Sequence, residues 1–112
     1  MKLVTAIIRP FKLDDVREAL IAVGAKGITV TEAKGFGQEQ VRAESHRSEE
    51  YHRIFHPKMR IEVIVRADQV EAVVEAIADA ARTAKVGDGK IIVTDADLIV
   101  RIRTGERDEH SV

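Results

Sequence analysis

The sequence contains no cysteine and no tryptophan, only one tyrosine and only two prolines among its 112 residues. The absence of cysteine excludes disulfides and thiolate metal sites, and it is compatible with a reducing compartment. Aromatic residues make up just 4% of the chain, so the core must consist of Val, Ile, Leu and Ala side chains. No run approaches the roughly 20 apolar residues that cross a membrane, and no signal peptide is recognisable. We therefore expect a cytoplasmic protein without membrane insertion.

An excess of charge of one sign is also lacking. The chain has 18 Lys and Arg residues against 19 Asp and Glu residues, which gives a formal net charge of −1. Domains that bind nucleic acid usually carry a clearly basic face, so this balance argues against a nucleic-acid partner. With 45% hydrophobic and 33% charged residues, the composition is that of a globular protein, and we expect residues 1–112 to form one domain.

Apolar residues follow two different spacings along the chain. Runs rich in Val and Ile, or alternating with a period of two, predict strands over residues 2–8, 27–34, 58–66 and from residue 90 onward. Helical spacing predicts helices over residues 13–23 and 70–81. This order predicts an α+β fold of the ferredoxin-like, split βαβ (βαββαβ) type. Such a fold is an antiparallel sheet with two helices on one face, and here its second and third strands form a hairpin.

The segment at residues 35–58, GFGQEQVRAESHRSEEYHRIFHPK, follows neither spacing. Long segments without periodicity inside compact domains are usually either functional or disordered. The only tyrosine, Tyr51, lies in this segment and is a candidate contact or modification site. The lack of cysteine and of a compact ligand spacing favours solvated histidines over a metal site at His46, His52 and His56.

A glycine-rich turn, Gly87-Asp88-Gly89-Lys90, precedes the fourth strand. Glycines allow backbone N–H groups to approach an anion closely, and a neighbouring lysine adds a point charge for phosphate. The turn is not a P-loop, because that motif requires Ser or Thr after the lysine and this chain has Ile91. The alternative interpretation is a simple tight turn entering a strand.

Two arginines, Arg101 and Arg103, lie two residues apart in a strand-like run. In a strand both would point to one face, roughly 6–7 Å apart, which suits a polyphosphate. The intervening and preceding positions are apolar and are predicted to face the core: Leu98, Val100 and Ile102. The alternative is a solvated strand face on which the arginines pair with nearby acids.

The sequence contains no recognisable catalytic motif. No serine lies in a nucleophile-elbow context, and no pair of carboxylates falls in a predicted cleft. The small ferredoxin-like acylphosphatases use an arginine and an asparagine, and this chain has no asparagine. RNA-recognition domains of the same topology stack bases on strand aromatics, which the predicted strands lack. We therefore expect a protein that is not an enzyme.

Four ordered segments resemble the PII signal-transduction proteins: AIIRPFKLDDVREAL at 6–20, TVTEAKGFG at 29–37, KVGDGKI at 85–91 and IVRIRTGE at 99–106. The resemblance implies a ferredoxin-like homotrimer that binds ATP or ADP in clefts between subunits. It also implies a T-loop at residues 37–57, a B-loop at residues 82–90 and a C-terminal loop and tail at residues 101–112. In the family the T-loop controls a target protein of nitrogen metabolism, such as a membrane transporter or a metabolic enzyme.

The resemblance also implies roles for individual residues. Those expected near the adenine are Ile7, Thr29 and Ile64. Those expected around the ribose and phosphates are Gly35, Gly37, Gly87, Asp88, Gly89 and Lys90. Arg101 and Arg103 are expected to reach the phosphates from the neighbouring subunit, and Mg²⁺ is expected to accompany ATP.

The departures from the family pattern lie in the T-loop. Glu39 stands where the family usually has a glutamine that helps to hold Mg²⁺ between ATP and 2-oxoglutarate, and Val41 stands where glycine is common. Lys58, which contacts 2-oxoglutarate in the family, is retained. Because Glu39 would place a negative charge near a dianion, we expect 2-oxoglutarate sensing to be weakened or lost. The alternative is a divergent PII-like sensor of another small anion, or of a metal ion bound by the loop histidines.

Overall fold

The computed structural model describes residues 1–37 and 55–108. Its strands are β1 (Lys2–Ile8), β2 (Thr29–Gly35), β3 (His56–Val65) and β4 (Gly89–Asp95). Its helices are α1 (Leu13–Ala22) and α2 (Val70–Ala81). The sheet has the order β2-β3-β1-β4, and every neighbouring pair is antiparallel. This topology confirms the predicted ferredoxin-like fold and the hairpin of β2 and β3.

Local sequence explains where α1 begins and ends. Arg9 is extended, as expected for the residue before a proline, and Pro10–Lys12 forms a short 3-10 turn that leads into the helix. Asp14 and Asp15 lie in the first turn, where carboxylates favour the positive end of the helix dipole. Beyond the last turn Gly24 adopts a φ of 93°, a conformation that glycine reaches without steric cost.

The core lies between the two helices and one face of the sheet. Alternate residues of the two central strands point into it, and each helix contributes one apolar stripe. The buried hydrophobic residues are Val4, Ala6 and Ile8 of β1, Ile61, Val63 and Val65 of β3, Val16 and Leu20 of α1, and Val73, Ile77 and Ala81 of α2. This core consists of aliphatic side chains alone, as the scarcity of aromatic residues predicts.

The opposite face of the sheet is covered by no helix among the described residues. By strand alternation it carries Leu3, Ile7, Ile64 and Ile92 among polar side chains, and Ile92 is 45% exposed. Apolar residues grouped on an open sheet face commonly mark an interaction surface. In the described part of the chain, neither helix is long and apolar enough to span a membrane.

The prediction that Leu98, Val100 and Ile102 face the core as part of a strand is wrong. β4 ends at Asp95, which pairs with Lys2, the first residue of β1, and one further backbone hydrogen bond joins Ala96 to Met1 at 3.2 Å. Beyond it, Val100 makes an isolated bridge to Arg107, and the chain then turns. The apolar side chains of this segment are exposed, and Ile102 is 99% exposed.

Leu20→Ala should lower the free energy of unfolding by about 2–5 kcal/mol, because Leu20 is fully buried and its truncation leaves a cavity. Ile21→Ala is the matched control in the same helix, since Ile21 is 59% exposed and its loss should cost less than about 1 kcal/mol. Denaturant unfolding of both variants measures the difference. Equal losses would contradict the described core.

Candidate functional site

The glycine loop, defined here as residues 82–90, connects α2 to β4. Gly87 and Gly89 have φ values of 104° and 100°, which residues other than glycine rarely adopt. Gly89 also pairs with Ile8 at the end of β1, and a Cβ atom on Gly89 would lie 1.7 Å from the Ile7 carbonyl oxygen. Glycine is therefore required at position 89 both by the backbone conformation and by the close approach of β1.

Asp88 organises this loop from within. Its Oδ2 accepts the backbone N–H groups of Thr83 at 2.8 Å and Ala84 at 2.9 Å. Its Oδ1 accepts Arg9 Nε at 3.1 Å and the Thr83 hydroxyl. The Thr83 hydroxyl and N–H, with a smaller contribution from Arg9, hold the pKa of the Asp88 carboxyl well below its usual range. Both carboxylate oxygens are thus engaged inside the loop.

Two cations from other elements hold consecutive carbonyl groups of the glycine loop. Arg9 Nη2 donates to the Val86 carbonyl at 2.7 Å, and Lys58 Nζ donates to the Gly87 carbonyl at 2.8 Å. Lys58 is only 7% exposed, and its aliphatic stem passes so close to Gly35 that a Cβ there would lie 3.2 Å from Lys58 Cγ. The loop is therefore linked through Lys58 to the end of β2.

A groove of about 730 Å³ lies at the end of the sheet near Leu3, whereas the glycine loop adjoins Ile8 at the opposite end of β1. It is lined by Leu3, Lys26, Gly27, Thr29, Glu62, Ile64, Ile99 and Arg101. Strand pairing builds it, since Thr29 lies opposite Glu62 and Leu3 lies opposite Ile64. The groove combines aliphatic side chains with hydroxyl, carboxylate and cationic groups, and this mixture suits a flat apolar ring with polar edges.

Seven of the residues predicted to bind nucleotide line one of two separate cavities. Thr29, Ile64 and Arg101 line the groove. Ile7 and the loop residues from Asp88 to Lys90 line a second cavity of about 250 Å³. The two cavities share no lining residue, and they lie toward opposite ends of β1, where Leu3 and Ile8 are about 17 Å apart by the strand rise. One chain does not bring the two groups together.

The two predicted arginines lie in different local structure. Arg101 donates its N–H to the Glu106 carbonyl at 2.8 Å and its Nη1 to the Glu106 carboxylate at 3.3 Å, while its side chain lines the groove. Arg103 lies in the following turn, is exposed, and lines neither cavity. The prediction that both arginines share one strand face is therefore wrong, because the backbone turns between them.

Several residues of the two groups were not found by sequence reasoning. They are Lys26, Glu62 and Ile99 in the groove, and Arg9 and Thr83 around Asp88. The alternation of β3 places Glu62 on the open face together with Ile64, so the strand pattern alone could have identified Glu62. The contacts of Arg9 with Asp88, 79 positions away, follow only from the pairing of β1 with β4.

Some predicted residues lie outside the described part of the chain: Glu39, Val41, His46, Tyr51 and His52. His56 is the first residue of β3 and pairs with Gly35. Gly37 lies at the last described position before the gap. Within residues 1–37 and 55–108, no group of three or more His, Cys, Asp or Glu side chains is placed to hold a metal ion.

Comparison with known proteins gives consistent matches. The family model described as nitrogen regulatory protein P-II matches residues 1–106. Nitrogen regulatory protein GlnK of Escherichia coli (strain K12) is 53% identical over 109 residues, 97% of either chain. Nitrogen regulatory protein P-II of Azospirillum brasilense is 56% identical over 107 residues, 96% of either chain. A crystal structure of Arabidopsis thaliana PII bound to citrate matches with a TM-score of 0.82 and 37% identity, covering 99% of this chain and 91% of that one.

Gly89→Ala should lower the free energy of unfolding by more than about 2 kcal/mol, because it combines an unfavourable φ with a collision against the Ile7 carbonyl. Gly24→Ala separates the two causes. Gly24 has a similar φ of 93° but no atom within 4 Å of the added Cβ, so the expected cost is about 1 kcal/mol. Equal losses in thermal or denaturant unfolding would show that the approach of β1 to the glycine loop is not as tight as described.

Proposed function

The chain belongs to the nitrogen regulatory protein P-II family, and on this premise we propose that it binds ATP or ADP in clefts between the subunits of a homotrimer. Its relatives are nitrogen regulatory proteins, so its role is regulatory. We further propose that the bound nucleotide controls a target protein, such as a membrane transporter or a metabolic enzyme, through the segment between β2 and β3. Mg²⁺ is the cation that we expect to accompany ATP.

The groove is the observation that carries this proposal. It brings together Thr29, Ile64 and Arg101, which are far apart in the sequence and which the family resemblance assigns to nucleotide binding. Its aliphatic side chains suit one face of an adenine ring, whereas Thr29 and Glu62 offer hydrogen bonds to the ring edge. Arg101 supplies positive charge for a phosphate.

The separation of the two groups supports an assembly of several subunits. The groove and the glycine loop lie toward opposite ends of the same strands, so a nucleotide that touches both would bridge two subunits. In this arrangement Thr29, Ile64 and Arg101 come from one subunit, and the glycine loop with Lys90 comes from the next. Head-to-tail contacts of this kind close into rings, and three subunits give three equivalent clefts. The open sheet face and the exposed Ile102 provide apolar surface for such contacts.

The contacts around Lys58 offer a route from nucleotide to target. The segment between β2 and β3 begins after the Gly35–His56 pair, next to which the rings of Phe36 and Phe55 lie 5.5 Å apart. Lys58 packs against Gly35 and donates to the Gly87 carbonyl of the glycine loop. A phosphate that shifts this loop would therefore act on the base of the segment that we propose contacts the target.

Arg101→Ala should weaken ATP and ADP binding by roughly ten- to a hundredfold, as expected for the loss of a charge-assisted hydrogen bond. Isothermal titration calorimetry measures both affinities. Arg17→Ala is the matched control, because Arg17 lies on the surface of α1 and pairs with Asp14 at 3.5 Å. Absence of binding at millimolar nucleotide, or unchanged binding when Arg101 and Arg103 are both replaced by alanine, would contradict the proposal.

Mixing two defective variants tests the shared cleft. Arg101→Ala impairs the groove and Lys90→Ala impairs the glycine-loop half, so each homotrimer should bind ATP weakly. In a co-expressed mixed trimer, one cleft joins an unaltered loop to an unaltered groove, and calorimetry should recover tight binding at about one site per trimer. If a single subunit supplied both halves, no mixed trimer would recover binding.

A further inference from the structure

We propose that Thr83 and Arg9 are positioning residues for the phosphate end of the nucleotide, acting through Asp88 rather than by touching the ligand. The inference rests on the proposed nucleotide function and assigns Asp88 a role inside the loop. It starts from the full engagement of the Asp88 carboxylate by Thr83, Ala84 and Arg9.

A carboxylate in an anion-binding loop requires an explanation, because a negative charge beside a phosphate is repulsive. The geometry supplies one. Asp88 turns both oxygens toward the start of the loop, where they accept two backbone N–H groups and the Thr83 hydroxyl, and Arg9 pairs with its charge. The negative charge of Asp88 is therefore balanced by Arg9 and by hydrogen-bond donors of the loop, and the same contacts define the conformation of the loop.

Ala84 shows that the loop depends on these contacts. Its φ is 66°, in the left-handed region that a residue with a Cβ adopts only at a steric cost. The hydrogen bond from its N–H to Asp88 Oδ2, at 2.9 Å, holds it in this conformation. If Asp88 lost the orientation imposed by Thr83 and Arg9, its hydrogen bond to Ala84 would be lost and would no longer offset the steric cost of the left-handed conformation at Ala84.

The two cations then set the direction of the following peptide groups. Arg9 holds the Val86 carbonyl and Lys58 holds the Gly87 carbonyl. In a trans peptide the N–H points opposite to the preceding carbonyl, and the described residues contain no cis peptide. The N–H groups of Gly87 and Asp88 therefore point away from the cations, toward the side on which we place the phosphate.

Thr83→Val tests the inference without changing charge. It removes the hydroxyl, which donates to Asp88 and accepts the Lys85 N–H at 3.4 Å, and nearly preserves side-chain shape. ATP affinity should therefore fall about five- to tenfold, as expected for the loss of these hydroxyl hydrogen bonds. Adenosine, which lacks phosphates, should lose much less affinity. Thr83→Ser retains the hydroxyl and should keep the affinity of the unchanged protein. Calorimetric or NMR titration of the intact trimer gives these affinities.

Arg9→Gln, with Lys12→Gln as its control, separates positioning from net charge. Lys12 lies three residues along the chain and pairs only loosely with Asp15, at 3.8 Å. Arg9→Gln should weaken ATP binding and Lys12→Gln should not. Equal effects of the two variants, or an equal loss of ATP and adenosine affinity in Thr83→Val, would overturn the positioning role.

Amide hydrogen exchange in the nucleotide-free protein keeps this inference distinct from the proposed function. Thr83→Val and Arg9→Gln should speed exchange at the N–H groups of Thr83 and Ala84, because both donate to Asp88. If the unchanged protein binds no nucleotide, the proposed function fails, and faster exchange would still support the organisation of the loop through Asp88. Unchanged exchange in both variants would overturn it.

Discussion

The carboxylate of Asp88 is the constraint on which the glycine loop depends. It joins the start of the glycine loop to Arg9, which directly follows β1, and it holds Ala84 in a conformation that residues with a Cβ avoid. Because Arg9 and Lys58 also bind adjacent carbonyls of the loop, three elements meet at this point: β1, β3 and the connection from α2 to β4. These contacts therefore form one connected network.

The sheet explains why the proposed function involves several copies of this chain. One face is buried beneath two helices, and the other carries apolar residues without cover among the described residues. The groove and the glycine loop lie toward opposite ends of the strands that they share. In a cleft between subunits, one end of a strand in one subunit can lie beside the opposite end of the same strand in the next subunit. The two ends of a single extended strand cannot meet in this way.

Part of the fold and of the site was predictable from local patterns, and part was not. The limits of β1 and α2, and the aliphatic core, followed from the spacing of Val, Ile and Leu. The strand expected through Leu98–Arg103 did not form, because β4 had already reached the end of its pairing with β1. Alternating apolar residues indicate a strand only where a partner strand is available, and in this segment the apolar positions face outward instead.

The sequence by itself determined the order of elements, the glycines of the loop and the family, because each is recorded in local spacing or in continuous segments of the chain. Only the tertiary structure decided that Thr29, Ile64 and Arg101 share a groove, and that Asp88 faces Thr83 and Arg9 rather than the open side of its loop. The physical reason is that strand register joins residues distant in sequence. Hydrogen bonds between strands set that register, and local periodicity does not record it.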